Sequence, residues 1–285
     1  MITIVVVIVI VALAIRRIDW NVVVHSISHA SLPLVIATGV ITFASTLLKG
    51  SRWWLFLRKT SEIKLGRVVR LTILGTGANS VLFANAGDMI RVGLVAREAR
   101  VPVATVLSAL ASDKVVEVLA FVTVMLVALG GQLPNVVRDR VQTVAFVLTL
   151  VLLVGTLVTW AARGRVLRWL RETGALLRGP PVVIAYALSL LSWLVQIATY
   201  GIGAAAVGLR VPLAALVVTV VSVNIGGVIR STPGNVGVFQ LMFALALTPF
   251  GISNASAVAA AVLIQSAQIL SAVIAGALAV TLQRR

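Results

Sequence analysis

Nine apolar segments follow one another along this chain, near residues 1–15, 33–48, 68–86, 103–129, 141–162, 182–207, 212–229, 236–250 and 256–282. Several approach or exceed the roughly 20 residues that a helix needs to cross a hydrocarbon core about 30 Å thick. A backbone in lipid must satisfy its own amides, so runs of this length are expected to be helices. Composition agrees: 60% of residues are hydrophobic and 11% charged, against roughly 45–50% and about 25% in soluble domains. The expected fold is an all-α polytopic membrane protein, with residues 1–285 forming a single transmembrane domain.

The same features exclude several function classes. The formal charge is +16, but the 24 Lys and Arg residues gather at the ends of apolar runs instead of forming an aromatic-interleaved basic face, so nucleic acid is not the expected partner. The chain has no cysteine, hence no disulfide or thiol chemistry. No Ser/His/acid set is plausible, and Gly75-x-Gly77 does not lead into a phosphate loop ending in Lys-Ser/Thr. No catalytic residue, cofactor or enzyme activity is therefore expected. His25 and His29, one turn apart beside Asp19 and Trp20, lack a third ligand and read as an amphipathic interfacial stretch, not a metal site. The opening run MITIVVVIVIVALAI has neither a basic leader nor a small-residue cleavage site, and is expected to be a retained helix.

Positive charge orders the loops. Lys49 to Arg70 carries seven basic residues against Glu62, and Arg163 to Arg178 carries five against Glu172, so both are expected on the cytoplasmic side. Three runs separate them, 68–86, 103–129 and 141–162. Three crossings would put the two loops on opposite faces; if 68–86 dips in and returns, they share one. Eight crossings then leave both termini cytoplasmic, including Arg284 and Arg285, with the loops 130–140, 208–211 and 251–255 outside. Only Arg16 and Arg17 resist this arrangement. The expected location is the cell (inner) membrane, multi-pass.

The re-entrant segment, about 68–86, leads through Gly75, Gly77, Asn79, Ser80, Asn85 and Gly87 to Asp88 and, a turn on, Arg91. A second break, inside a broken hairpin at about 212–250, reads Asn224 to Gln240, with Arg230, Pro233, Gly234 and Asn235 between two short apolar pieces. Backbone freed at such breaks needs protein or a wet cavity, and paired broken segments point to a transporter's binding site. Between the breaks, Asp113, Lys114 and Glu117 lie inside the run 103–129. A charge at that depth costs ~2.5–3.5 kcal/mol on insertion-based scales. Helical spacing lets Glu117 meet Lys114 and places Asp113 on the same face, which favours an internal pair, a protonated carboxyl or a polar cavity.

Taken with the segment Lys49-Gly50-Ser51-Arg52-Trp53-Trp54, these landmarks resemble the flippase-like transmembrane region of lysylphosphatidylglycerol synthases, over nearly the whole chain. The other landmarks are Asn79 through Ala86-Gly87-Asp88 with Arg91, Asp113 to Glu117, and Pro233-Gly234-Asn235-Val236-Gly237-Val238-Phe239-Gln240. In that family Glu usually stands where Asp88 does, Glu-Arg where Asp113-Lys114 do, Asp where Glu117 does, and Glu where Gln240 does. Charge type is kept at the first four positions and lost at Gln240. In those synthases the aminoacyl-transferring part is a separate soluble domain, so synthase activity is not expected of this sequence.

The resemblance implies movement of a lipid, or a lipid-linked headgroup, between leaflets. Membrane phospholipid or a polyprenyl-phosphate-linked lipid is the expected partner, with a second copy or a membrane enzyme as further partners. The expected transport groove would draw phosphate-binding charge from Arg91, Lys114 and Arg230. Asn79, Asn85 and Asn235 would supply hydrogen bonds, Asp88, Asp113 and Glu117 counter-charge, and Gly234, after Pro233, the backbone shape of the second break, with Gln240 on the same transport route. Arg52 and Trp53 are expected at the headgroup interface, where Trp settles and basic side chains snorkel. Two rival readings are an ion-coupled small-solute transporter and a non-catalytic partner of a glycosyltransferase or lipid-modifying enzyme.

Overall fold

The structure, a computed structural model, describes residues 19–82, 86–130, 173–227 and 232–281. The runs 1–15 and 141–162, and the residues Arg16, Arg17, Asn85, Arg230, Arg284 and Arg285, lie outside the described residues, as do 131–140 and 163–172 of the expected loops.

The described residues form helices and connecting turns, with no strand among them. A short helix α1 (Trp20–Ser28) is capped by Asp19, whose carboxylate accepts from Asn21 N at 3.0 Å. It precedes α2 (Leu32–Leu57), which starts with Pro33 in its first turn, where the missing amide costs nothing. Then come α3 (Leu65–Val81), α4 (Ala86–Ala99), α5 (Val103–Gly130), α6 (Pro180–Ala206), α7 (Leu213–Gly226), α8 (Val238–Leu247) and α9 (Asn254–Thr281). A 3-10 turn, Pro233–Asn235, stands between α7 and α8, and another, Thr248–Phe250, follows α8.

Helices α2, α6 and α9 are long and apolar enough to cross a membrane. Helix α5 has the length too, 28 residues, but carries the three charges. Several hydroxyls are satisfied within their own helix. Thr38, Thr72, Ser112, Ser189, Thr199 and Thr219 each return a hydrogen bond to the carbonyl one turn back. That is how a hydroxyl avoids the cost of apolar burial without a partner in the neighbouring helix.

Helices α3 and α4 fold into an antiparallel hairpin. Arg70 Nη2 lies 3.2 Å from Glu98 Oε1 near its open end. Near its closed end Gly75 and Gly87 bring the two backbones together: a Cβ on Gly87 would overlap the Gly75 carbonyl and stand 2.7 Å from Asn79 N. Small residues at a helix crossing give close backbone contact, the main source of association where lipid removes the hydrophobic drive. On its other face α3 runs along α9, Gly77 against Ala272 and Gly276. The tip of the hairpin stops near the middle of α9, where Ser80 O and Ile269 Cδ1 flank Gly234 closely enough to stand 3.1 and 3.2 Å from a Cβ placed on it.

At the open end of the hairpin the two basic loops are joined. Lys59 Nζ donates to Leu176 O at 2.6 Å and to Arg178 O at 2.7 Å. Beneath them Trp53, Phe56, Leu57, Val68, Leu71, Val92, Val95 and Val106 form one buried apolar cluster. A second, larger cluster joins α5 to α9 and contains Trp193, Tyr200, Phe239, Phe243 and Ile264. Within it Tyr200 meets the Phe239 ring edge-on, at a centroid distance of 5.7 Å.

Candidate functional site

Arg52 and Trp53 do not lie at the interface as the sequence leads one to expect; both are packed inside the protein. Arg52 is 1% exposed and Trp53 0%. All three guanidinium nitrogens are engaged: Nε donates to Asp113 Oδ1 at 2.5 Å, Nη2 to Asp113 Oδ2 at 3.0 Å, and Nη1 to Ser189 Oγ at 3.0 Å. The same Nη2 lies 3.2 Å from Glu117 Oε2. A planar, permanently charged fork on a buried carboxylate is the geometry in which Arg is worth most. The general rule that a Trp-flanked Arg snorkels fails here because Asp113 offers the charge a partner inside the bundle. The neighbouring Trp54 is only half-buried: its Nε1 donates to Ile63 O at 2.9 Å and its ring lies under Arg58.

Glu117 is shared. Its Oε2 also takes Lys114 Nζ at 2.5 Å, and the Lys114 side chain is 53% exposed. Arg52, Asp113, Lys114 and Glu117 thus form a neutral four-membered network, closed at Arg52 and open at Lys114. It holds α2, α5 and α6 together.

A second group forms on the hairpin. Arg91 packs its side chain on Gly75, lays its guanidinium 4.8 Å above the Trp53 ring and keeps Nε 3.0 Å from Asp88 Oδ1. The ion pair is not aligned as a hydrogen bond, so among the described residues Arg91 Nε is a buried donor without an acceptor, as is Trp53 Nε1. One turn nearer the tip, Asn79 Oδ1 is a buried acceptor without a donor among the described residues.

The third group is the Pro233–Asn235 break. Gly234 (φ 59°) and Asn235 (φ 60°) are left-handed, a conformation that glycine adopts freely and asparagine tolerates. Gly234 is confined further, since a Cβ there would stand 3.1 Å from Ser80 O. Gln240 serves the break and carries no charge: Oε1 accepts from Gly237 N at 2.7 Å, and Nε2 donates to Gln265 Oε1 at 2.6 Å. Gln265 Nε2 then donates to Gly234 O at 2.9 Å, tying the break to α9. Asn235 Oδ1 is another buried acceptor without a partner among the described residues.

The structure therefore brings Asn79, Gly234, Asn235 and Gln240 to one meeting point of the two breaks. Asp88 and Arg91 sit below it on the hairpin, and Asp113, Lys114 and Glu117 form the separate network with Arg52. Two contributors escape the sequence reading. Ser189 gives no signal, being one hydroxyl among many. Gln265 did give one, as an amide inside the apolar run 256–282. Replacing Gln265 with Leu should remove both bonds and cost ~1–3 kcal/mol, since a buried carbonyl loses its donor; thermal melting of the purified variant measures it, and an unchanged midpoint would show that the amide chain does not hold the break.

Among the described residues no group of three His, Asp or Glu side chains is placed to hold a metal. What the arrangement provides is a helical membrane domain with two chain breaks meeting inside it and charged networks alongside. Residues 1–276 match the family model described as the lysylphosphatidylglycerol synthase TM region, and the chain belongs to that family. Neither a curated protein nor a solved structure matches it.

Proposed function

We propose that the protein moves a lipid, or the headgroup of a lipid-linked molecule, between the leaflets of a cell membrane, acting as a transporter and not as an enzyme. The observation that carries this reading is the contact of Ser80 with Gly234 at mid-length of α9. Two breaks from separate parts of the sequence meet there, and each leaves a buried amide oxygen, on Asn79 and Asn235, that finds no donor among the described residues. Such groups are tolerated at membrane depth only where a polar ligand or water reaches them. The family description names a lipid synthase's membrane region, which favours a phospholipid or polyprenyl-phosphate lipid as the cargo. Only the headgroup needs a polar route; the acyl chains stay in the bilayer.

In this reading the hairpin enters and leaves by the cytoplasmic face, eight crossings complete the domain, and both termini are cytoplasmic. The Lys59 contacts with Leu176 and Arg178 support a common face for the basic loops. Single cysteines can be introduced into a chain that has none. A cysteine at Ala96 should resist an impermeant maleimide applied to intact cells and react after permeabilisation; labelling in intact cells would sink the re-entrant topology. The function itself is tested by reconstitution into liposomes carrying headgroup-labelled anionic, zwitterionic and polyprenyl-phosphate lipids. Leaflet exchange of at least one class above protein-free liposomes is expected, and exchange of none would end the proposal.

A further inference from the structure

Helix α1 carries two imidazoles that the lipid-moving reading does not use. Val23 and Ile27 hold this helix against the larger apolar cluster. His25 and His29 follow them by two residues each, about 200° round the helix at roughly 100° per residue, and both are exposed. Their rings are stacked, with centroids 4.3 Å apart and planes inclined by 26°. Residues 19–31 contain no Lys or Arg to repel a cation, and the one carboxylate among them, Asp19, caps the amides of Asn21 and Val22 at the far end of the helix.

The hydrogen bonds around His29 fix its proton. Its Nδ1 lies 2.9 Å from His25 O and 3.1 Å from Ser28 Oγ. A carbonyl oxygen only accepts, and the Ser28 hydroxyl already donates to the same carbonyl at 2.9 Å, so the proton of neutral His29 sits on Nδ1. That leaves Nε2 with its lone pair unused. A ring that donates one nitrogen to a backbone carbonyl and keeps the other bare is oriented as metal-ligating histidines are. The ring of His25 makes no hydrogen bond among the described residues and is free to turn a nitrogen towards its neighbour. Two nitrogens up to about 4 Å apart can share one ion at ~2.1 Å from each, and rings stacked at this distance provide that separation.

We infer that His25 and His29 form a two-imidazole site for a divalent transition-metal ion, with water completing its shell. The missing third protein ligand excludes a closed tetrahedral zinc site, which takes four. It suits Cu²⁺ or Ni²⁺, which accept square or tetragonal sets of nitrogen and oxygen, and Cu²⁺ binds nitrogen most tightly of the divalent series. The ion joins the last turn of α1 to the residues that enter α2, where Ser31 N donates to Ala206 O at 2.8 Å. It therefore clips the junction of α1, α2 and α6. The other end of α2, 26 residues and about 39 Å away, leads into the basic loop. With that loop cytoplasmic, the histidine pair opens on the opposite face of the membrane; this placement alone rests on the proposed topology.

The test is metal titration of the protein purified through a tag without histidine, with Cu²⁺ followed by electron paramagnetic resonance and Ni²⁺ by calorimetry. One ion per chain with two nitrogen ligands is expected. His25→Ala and His29→Ala should each weaken binding at least about tenfold, the smallest loss usual even for partners that only orient a ligand. Combining His29→Ala with Ala30→His keeps two histidines but breaks their spacing, and should bind as poorly as the single changes. Because both side chains are exposed, all three variants should melt as the parent does without metal, while Ni²⁺ should raise the midpoint of the parent alone. Equal affinity of parent and His29→Ala for both ions would overturn the site, as would parent-like binding by the shifted pair or a parent that binds neither ion. Leaflet exchange is measured separately, so the metal site and the transport reading stand or fall independently.

Discussion

Arg52→Met should cost ~3–5 kcal/mol, because it leaves Asp113 buried without its charge partner. Asp113 is 3% exposed, and its hydrogen bonds with side chains all come from Arg52. The variant is expected to accumulate poorly or to melt far below the parent, measured by size-exclusion chromatography of heated detergent extracts. Lys114→Met should lose no more than ~1 kcal/mol, since its ammonium is half in the open and an exposed pair is worth that little. Pairing Arg52→Met with Asp113→Leu should restore much of the loss, as apolar substitution of both partners often does. If Arg52→Met melts like the parent, Asp113 is not held as described.

Gly87→Val should separate the hairpin. Its side chain would run into the Gly75 carbonyl and the Asn79 amide, both backbone groups that no rotamer change can move. Overpacking commonly costs ~1–3 kcal/mol, and here relief requires α4 to back away from α3, displacing Ser80 from Gly234. Lipid exchange should fall to the protein-free level while protein is still recovered. Gly66→Val and Gly93→Val are the matched controls on the same two helices, where an added Cβ meets nothing within 4 Å. Equal exchange by Gly87→Val and by these controls would show that the close crossing is not required.

Long elements were legible because their apolar runs exceed any loop. The runs 182–207 and 256–282 fall within two residues of Pro180–Ala206 and Asn254–Thr281. The run 33–48 stops early, at Lys49, where charge interrupts hydropathy; the helix continues to Leu57 because Trp53, Leu55, Phe56 and Leu57 are buried against the hairpin. Helix α4 gives no apolar run, since Arg91, Arg97 and Glu98 make it too polar for hydropathy to mark. The breaks were legible from Gly, Asn and Pro, but their meeting was not, for it depends on where α3 and the Pro233–Asn235 turn land along α9. The same holds for Arg52 and Asp113, 61 positions apart. Sequence marks a charge that needs a partner; only the packing of α2 on α5 selects which one.

The inward-turned hydroxyls have a mechanical consequence. Among the described residues no side-chain hydrogen bond passes from α3 to α9; Thr72, Thr76 and Ser80 all bond within α3. The seam is made of Gly77, Ala272 and Gly276 in van der Waals contact. Such a seam resists being pulled open but offers little friction to shear, since sliding trades one set of contacts for another of similar depth. Among the described residues the side-chain ties nearby join other pairs of elements: Arg70 to Glu98 within the hairpin, Ser271 to Gly39 O between α9 and α2, and Gln240 to Gln265 between α8 and α9. A shear of the hairpin along α9 would therefore meet its stop at the tip, where Ser80 abuts Gly234.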